Sequence, residues 1–259
     1  MKAVIFAGGL GTRIAEESTS KPKPMIQIGD RPLLWHIMKI YSRYGIKDFV
    51  VCLGYKGYLI KEYFFNYYRH TADFTIDLAS DTHQIHRSRS EDWRVTLVDT
   101  GADTMTGGRL KRVEPYLDGE AFCATYGDGV SDIDIGAELA FHRGHGGEAT
   151  VAAIQPLGRY GRLELERNLV TEFVEKPRAE FGWVNGGFFV FEAEVLARLR
   201  PDSGPLEREF LAELVGDGQL TAYRHDGFWM SCDTLRDKME LERVWTAGNA
   251  PWLMPPSGE

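Results

Sequence analysis

The residues best suited to chemistry lie near the N-terminus. Gly8-Gly9-Leu10-Gly11-Thr12-Arg13 is followed shortly by Lys21-Pro22-Lys23-Pro24-Met25, and both come after the apolar run Lys2-Ala3-Val4-Ile5-Phe6-Ala7. A buried strand that opens into a glycine-rich turn with cations at its end reads as a phosphate cradle. Glycines let backbone N–H groups approach anionic oxygens closely, and the N–H groups of the segment that follows favour negative charge. The spacing excludes two common cradles. A dinucleotide fingerprint needs a third glycine where Ile14 stands, and a P-loop needs a Gly-Lys-Ser/Thr that is absent after Gly8.

Two aspartates could complete such a site with a metal. Asp128 sits in Gly127-Asp128-Gly129 at the end of the apolar run Ala121–Tyr126, and Asp233 follows Phe228-Trp229-Met230-Ser231-Cys232. Ligands of open parallel sheets gather at the carboxyl ends of strands. Two carboxylates beside a phosphate cradle supply the hard oxygens that Mg²⁺ takes together with water and phosphate. Taken singly, Asp128 also reads as a turn residue and Asp233 as a helix N-cap. Glu175-Lys176-Pro177 closes another strand and can offer a cation to a second phosphate. Asn185-Gly186-Gly187 opens the strand Phe188-Phe189-Val190 with a side chain that both donates and accepts. Thr106-Gly107-Gly108-Arg109 precedes a helix expected to start near Leu110 and offers a second N-terminus open to an anion.

The elements that must position these residues alternate along the chain. Ala3–Phe6, Asp48–Leu53, Ala121–Tyr126 and Ala149–Ile154 read as strands; Pro32–Tyr44, the aromatic-faced Tyr55–Tyr68 and Asp134–His145 read as helices. This pattern predicts an α/β fold, a mixed, mostly parallel sheet flanked by helices. Past Arg159 shorter extended pieces (Arg162–Leu165, Val170–Glu175, Gly187–Phe191) predict a small antiparallel β addition. Helices are then expected at Glu192–Arg198, Leu206–Val215 and Thr234–Trp245, with the tail after Gly248 on the surface. The polar stretch Ser80–Arg94 lacks periodicity and reads as either a surface loop or an arm that packs on another subunit. There is no internal repeat and no linker, so a single domain over 1–259 is expected.

Composition narrows the function classes. The 259 residues carry a net charge of −8, with 43% hydrophobic and 26% charged residues. That balance fits a globular domain and argues against duplex nucleic acid, so the cations near the N-terminus must serve a local anion. No run approaches the roughly 20 apolar residues of a membrane span, and no leader-like segment precedes the first strand; a cytoplasmic location is expected. Cys52, Cys123 and Cys232 are scattered, as buried thiols of a reducing compartment would be. His83/His86 and His142/His145 have spacings that could suit a metal, but read better as surface histidines.

In order and content, Gly8–Arg13, Lys21–Met25, Gly127–Gly129, Glu175–Pro177, Asn185–Gly187 and Asp233 resemble the motifs of the sugar-1-phosphate nucleotidylyltransferases. The segments 106–112, 126–130, 185–190 and 233–238 are most similar to the cytidylyltransferase subgroup that acts on glucose 1-phosphate. The resemblance implies a Rossmann-like fold of the nucleotide-diphospho-sugar transferase type. About 1–130 would form a nucleotide half and 131–259 a sugar-phosphate half. It further implies Mg²⁺, CTP and a sugar 1-phosphate as ligands, and a homo-oligomer. On these residues, Arg13 would hold the β- and γ-phosphates and Lys23 would neutralise the α-phosphate. Asp128 and Asp233 would hold the metal. Gly8, Gly9, Gly11, Thr12, Thr106, Gly107 and Arg109 would hold nucleotide, and Gly161, Glu175, Lys176 and Asn185 the sugar phosphate. Arg162 and Trp183 depart from the subgroup pattern near the sugar, which leaves another sugar or polyol phosphate open.

Two rival readings belong to other classes. Asp132-Ile133-Asp134 spells the Asp-x-Asp signature of metal-dependent glycosyltransferases, although Asp134 also suits a helix N-cap. A non-catalytic module that binds nucleotide or sugar phosphate is the other; the presence of Asp128, Asp233 and Lys23 together counts against it.

Overall fold

The computed structural model describes residues 1–9, 14, 20–156, 162–174 and 182–254. A seven-stranded sheet forms the centre. Its strands in chain order are β1 (Ala3–Ala7), β2 (Asp48–Leu53), β3 (Arg94–Asp99), β4 (Phe122–Tyr126), β5 (Ala149–Ile154), β6 (Val184–Phe191) and β7 (Leu220–His225). Across the sheet they lie in the order β7-β5-β6-β4-β1-β2-β3. The pairs β1/β2, β1/β4, β2/β3 and β5/β7 are parallel, while β6 runs antiparallel to both β4 and β5. The mostly parallel sheet expected from the alternation is present.

Alternation within β1 shows how the sheet is covered. Ala3, Ile5 and Ala7 enter one core, and Val4 and Phe6 the other, because successive side chains of a strand point to opposite faces. The first core receives α1 (Leu33–Ser42), α2 (Gly57–Thr71), α4 (Ile135–His145) and α6 (Leu235–Thr246), through residues such as Leu34, Ile60, Leu139 and Leu241. The second receives α3 (Thr106–Val113) and α5 (Phe210–Gly216) through Leu110, Phe210 and Leu214.

Several expectations need correction. The antiparallel strand β6 is inserted between β4 and β5, while Arg162–Glu166 and Leu169–Val174 form a separate hairpin outside the main sheet. The stretch after α2 is a β-hairpin, Ala72–Asp77 with Thr82–Ser88, and its exposed face explains the lack of apolar periodicity. Residues 250–254 do not lie loosely on the surface. Trp252 is fully buried, and its indole N–H donates to His36 Nδ1 at 3.1 Å. His142 is buried too, bonded to Thr150 at 2.8 Å and Glu192 at 3.2 Å, and His145 is half-buried; of the two pairs, His83 and His86 are the exposed one. The three cysteines are free and buried, and burial pushes the Cys52 thiol up to about 12.

Candidate active site

The carboxyl ends of β1, β2 and β4 point the same way because these neighbours are parallel. Beyond them the chain continues as Gly8-Gly9, Gly54 and Gly127-Asp128. Glycine at 127 is required by close packing: a Cβ there would lie 2.7 Å from the Phe6 carbonyl oxygen and 2.9 Å from Pro24 Cγ. Pro24 belongs to a single helical turn over Lys23–Met25, started by Pro22 and closed by an Ile26 N–H to Lys23 carbonyl bond of 3.0 Å. The Lys-Pro-Lys-Pro segment thus becomes a rigid corner that sets Lys23 over the strand ends. A pocket of about 400 Å³ opens there.

A short ladder brings the two aspartates together. Gly129–Ser131 pairs with Trp229–Ser231 antiparallel, with Ser231 opposite Gly129, and the Cys232 N–H donates to the Asp128 carbonyl at 2.8 Å. Asp128 and Asp233 therefore flank one end of the same two-stranded ribbon. Asp233 is not the N-cap of α6. Thr234 takes that role in a capping box with Asp237, and Asp237 also accepts the Asp233 N–H at 3.1 Å. The Asp233 carboxylate is left to face the pocket, where Ser231 Oγ donates to its Oδ2 at 2.8 Å.

Lys23 Nζ sits between the carboxylates, 2.7 Å from Asp128 Oδ2 and 2.7 Å from Asp233 Oδ1. Burial alone would lower the pKa of this ammonium, but its two anionic partners hold it above the ordinary lysine value. One cation already lies where two carboxylate oxygens converge, so the donor set fits a divalent cation completed by phosphate oxygens and water. No cluster of three or more His, Cys, Asp or Glu side chains suited to a metal exists among the described residues.

The far wall holds Arg109. Its guanidinium is buried and donates to four oxygens: Leu53 O at 2.8 Å, Thr100 Oγ1 at 2.7 Å, and Gly8 O and Ala102 O at 3.1 Å each. A Cβ on Gly8 would run into this group, which is why glycine is required there. Arg109 braces the glycine loop and the 100–105 loop from within the wall. Arg112 assists with 2.8 Å bonds to Thr100 O and Thr104 Oγ1. Helix α3 starts at Thr106, earlier than the glycines suggest, and its N-terminus is closed to anions. The N–H groups of Gly107 and Gly108 donate to the carbonyls of Gly204 and Ser203, and Thr106 Oγ1 accepts the Leu206 N–H at 2.8 Å.

Of the sequence-selected residues, Gly8, Gly9, Lys23, Thr106, Arg109, Asp128 and Asp233 share the pocket lining. Gly107 lies behind it. Asn185 stands at the start of β6, its Oδ1 accepting the Gly187 N–H at 2.7 Å. Gly11, Thr12, Arg13, Gly161, Glu175 and Lys176 lie outside the described residues, as does the side chain of Arg162. Trp183 stacks under the Arg224 guanidinium, 5.5 Å from the ring centroid. The Asp-x-Asp tripeptide is occupied structurally. Asp132 accepts the Phe228 N–H at 2.7 Å and pairs with His225, and Asp134 caps α4 through the Ala137 N–H at 2.8 Å.

Tyr126 and Glu207 were not singled out from sequence. Tyr126 lines the pocket next to Asp128, rests on Gly187 and donates its hydroxyl to Glu207. The position of Tyr126, directly before Gly127-Asp128-Gly129, is a signal for it. Nothing local marks Glu207, which arrives from the segment before α5.

Comparison with known proteins shows the family and the fold. The profile of the nucleotidyl transferase family matches residues 2–242. The chain is similar to the glucose-1-phosphate cytidylyltransferase of Salmonella typhi, 54% identical over 253 residues, which cover 97% of this chain and 98% of that protein. It is 40% identical over 253 residues to the probable glucose-1-phosphate cytidylyltransferase of Bacillus subtilis, covering 97% and 99% of the two chains. The crystal structure of HddC from Yersinia pseudotuberculosis shares the fold, with a TM-score of 0.67 at 21% identity over 94% of this chain and 99% of that one.

Proposed function

This chain belongs to the nucleotidyl transferase family, and we propose that it transfers CMP from CTP to α-D-glucose 1-phosphate, giving CDP-glucose and pyrophosphate. One observation carries the reading. Asp128, Asp233 and Lys23 converge on a single point in the pocket at the strand ends, beside the glycine loop. Support for cytosine and glucose comes from the 54%-identical relative, a glucose-1-phosphate cytidylyltransferase.

The reaction is a direct displacement. A phosphate oxygen of the sugar phosphate forms a bond to the α-phosphorus, the bond from that phosphorus to the bridging oxygen breaks, and pyrophosphate carries the electron pair away. No side-chain nucleophile is required, so the protein's task is alignment and charge neutralisation. Lys23 would neutralise charge at the α-phosphate, and Arg13 would hold the leaving pyrophosphate. Gly8, Gly9, Gly11 and Thr12 would supply the loop over the triphosphate. Thr106, Gly107 and Arg109 would form its supporting wall, with Arg109 acting through the loops it braces. Gly161, Glu175, Lys176 and Asn185 would bind the sugar phosphate.

The family works with a divalent metal, and we assign Mg²⁺ here, held by Asp128 and Asp233; when bound, it would neutralise the triphosphate. The two halves, 1–130 and 131–259, serve nucleotide and sugar phosphate within one domain. Among the described residues no helix is long and apolar enough to cross a membrane. A cytoplasmic setting fits the three free, buried thiols.

The partner we assign is a second copy of this chain. The hairpin after α2 exposes Phe74, Ile76, Leu78 and Ile85, with Leu78 89% exposed, and Phe65 on α2 is 82% exposed. Apolar side chains grouped in this way mark an interaction surface.

Purified protein supplied with Mg²⁺, each nucleoside triphosphate in turn and a panel of sugar 1-phosphates should release pyrophosphate with CTP and glucose 1-phosphate. Robust turnover with UTP or dTTP but not CTP would sink the base assignment. Preference for another sugar or polyol phosphate would sink the sugar assignment.

A further inference from the structure

Lys23 has two demands on it that cannot be met at once. The proposed reaction needs its ammonium at the α-phosphate, and the structure holds that ammonium 2.7 Å from both carboxylates that would ligate the metal. A divalent ion bound to the same oxygens would sit about 2.0–2.1 Å from each, overlapping the space and charge of Nζ. The two cations exclude each other.

The Asp233 carboxylate has an anchor besides Lys23, and the chain at Asp128 is held independently of it. Ser231 Oγ orients Asp233, Asp237 holds its backbone N–H, and the Cys232 N–H fixes the backbone at Asp128. The lysine is the movable member. It carries its charge on a flexible four-carbon stem, and it borders the open pocket of about 400 Å³. Its side chain is 11% exposed while paired.

We infer that Lys23 is a resident counter-ion of the free enzyme: it holds the Asp128–Asp233 seat until a divalent cation replaces it, and is thereby released to the α-phosphate. This rests on the metal assignment above and adds an order of events to it. Metal alone binds weakly, because it must displace an ammonium that has nowhere better to go. With nucleotide present the freed lysine gains an anionic partner, so metal and triphosphate reinforce each other.

Mn²⁺ serves as the probe, with binding read by electron paramagnetic resonance and Lys23 accessibility read by acetylation and mass spectrometry, using Lys47 as the reference lysine. Saturating Mn²⁺ without nucleotide should raise Lys23 acetylation several-fold in the wild-type protein. Lys23→Met should bind Mn²⁺ alone about tenfold more tightly, and a non-hydrolysable CTP analogue should then tighten Mn²⁺ much less than it does in the wild type. If Mn²⁺ binds in an Asp128-dependent manner while Lys23 acetylation stays unchanged, the exchange is overturned and the metal assignment survives. If Asp128→Asn leaves Mn²⁺ binding intact even with the analogue, the metal assignment falls and the exchange falls with it. The acetylation arm needs no variant, so it stands even where Lys23→Met folds poorly.

Discussion

Replacing Arg109 by methionine separates two roles that one arginine could have. A side chain that only reads nucleotide would leave the ligand-free protein as stable as before and weaken CTP binding. The structure gives it another task. The guanidinium donates to Leu53 O, Thr100 Oγ1, Gly8 O and Ala102 O, tying β2 and the 100–105 loop to the glycine loop. Each bond is worth on the order of 1 kcal/mol net. Without the guanidinium Leu53 O keeps the Thr100 N–H and hydroxyl and Gly8 O keeps the Tyr55 N–H, while Ala102 O loses the Arg109 donor. Since the four share one group and are not additive, Arg109→Met should cost about 3–4 kcal/mol. For a chain of this size 1 kcal/mol moves Tm by about 2–4 °C, so calorimetry without ligand should show a fall of about 6–16 °C. Arg109→Lys, which keeps the charge but not the planar fork, should fall between the two. The KM for every nucleoside triphosphate should rise together, because a displaced Gly8 loop loses phosphate contacts and not base contacts. A Tm within about 2 °C of wild type, with KM raised for CTP alone, would refute the bracing role.

Other consequences follow from buried groups away from the pocket. Glu138 is 1% exposed, burial raises its carboxyl pKa to about 8, and its Oε1 has no hydrogen-bond partner among the described residues. The folded state therefore holds the proton more tightly than the unfolded state, so stability is full below the unfolded pKa near 4.5 and is lost as pH rises toward 8. Glu138→Gln cannot ionise; its stability advantage over wild type, measured by urea unfolding, should grow by about 3 kcal/mol between pH 5 and pH 7.5, and a pH-independent difference would contradict the assignment. Gly187 has φ +78°, and a Cβ there would lie 2.6 Å from Tyr126 Cδ2. Gly187→Ala should lose about 2–4 kcal/mol and raise KM for the sugar phosphate by displacing Tyr126 and Asn185, which thermal unfolding and steady-state kinetics would test together.

Much of this molecule is written in local pattern. The bounds of Asp48–Leu53 and Ala149–Ile154 are legible in sequence because β-rich apolar runs ended by glycine or polar residues have one reading. Asp134 is legible as a cap for the same reason, since capping depends on a residue and the turn that follows it. Strands β3 and β7 are not legible in sequence because their side chains are only partly buried and their apolar contrast is weak. The stretch Ser80–Arg94 shows no periodicity in sequence because the hairpin strands Ala72–Asp77 and Thr82–Ser88 are exposed and carry no one-sided pattern.

At the site the division falls between residue type and pairing. The glycine loop, Lys23, Asp128 and Asp233 could be picked from sequence, since glycines and charges at strand ends have few other uses. That Lys23 meets Asp128 across 105 positions and Asp233 across 210 could not, because such contacts depend on strand order and on the ribbon joining Gly129 to Ser231. Folding also decided the work of Arg109. Its charge and position beside glycines suggested an anion, but burial among four oxygens of the chain itself made it a brace. A side chain's chemistry is set by its own atoms, whereas its partner is set by whatever distant segment the core packs against it.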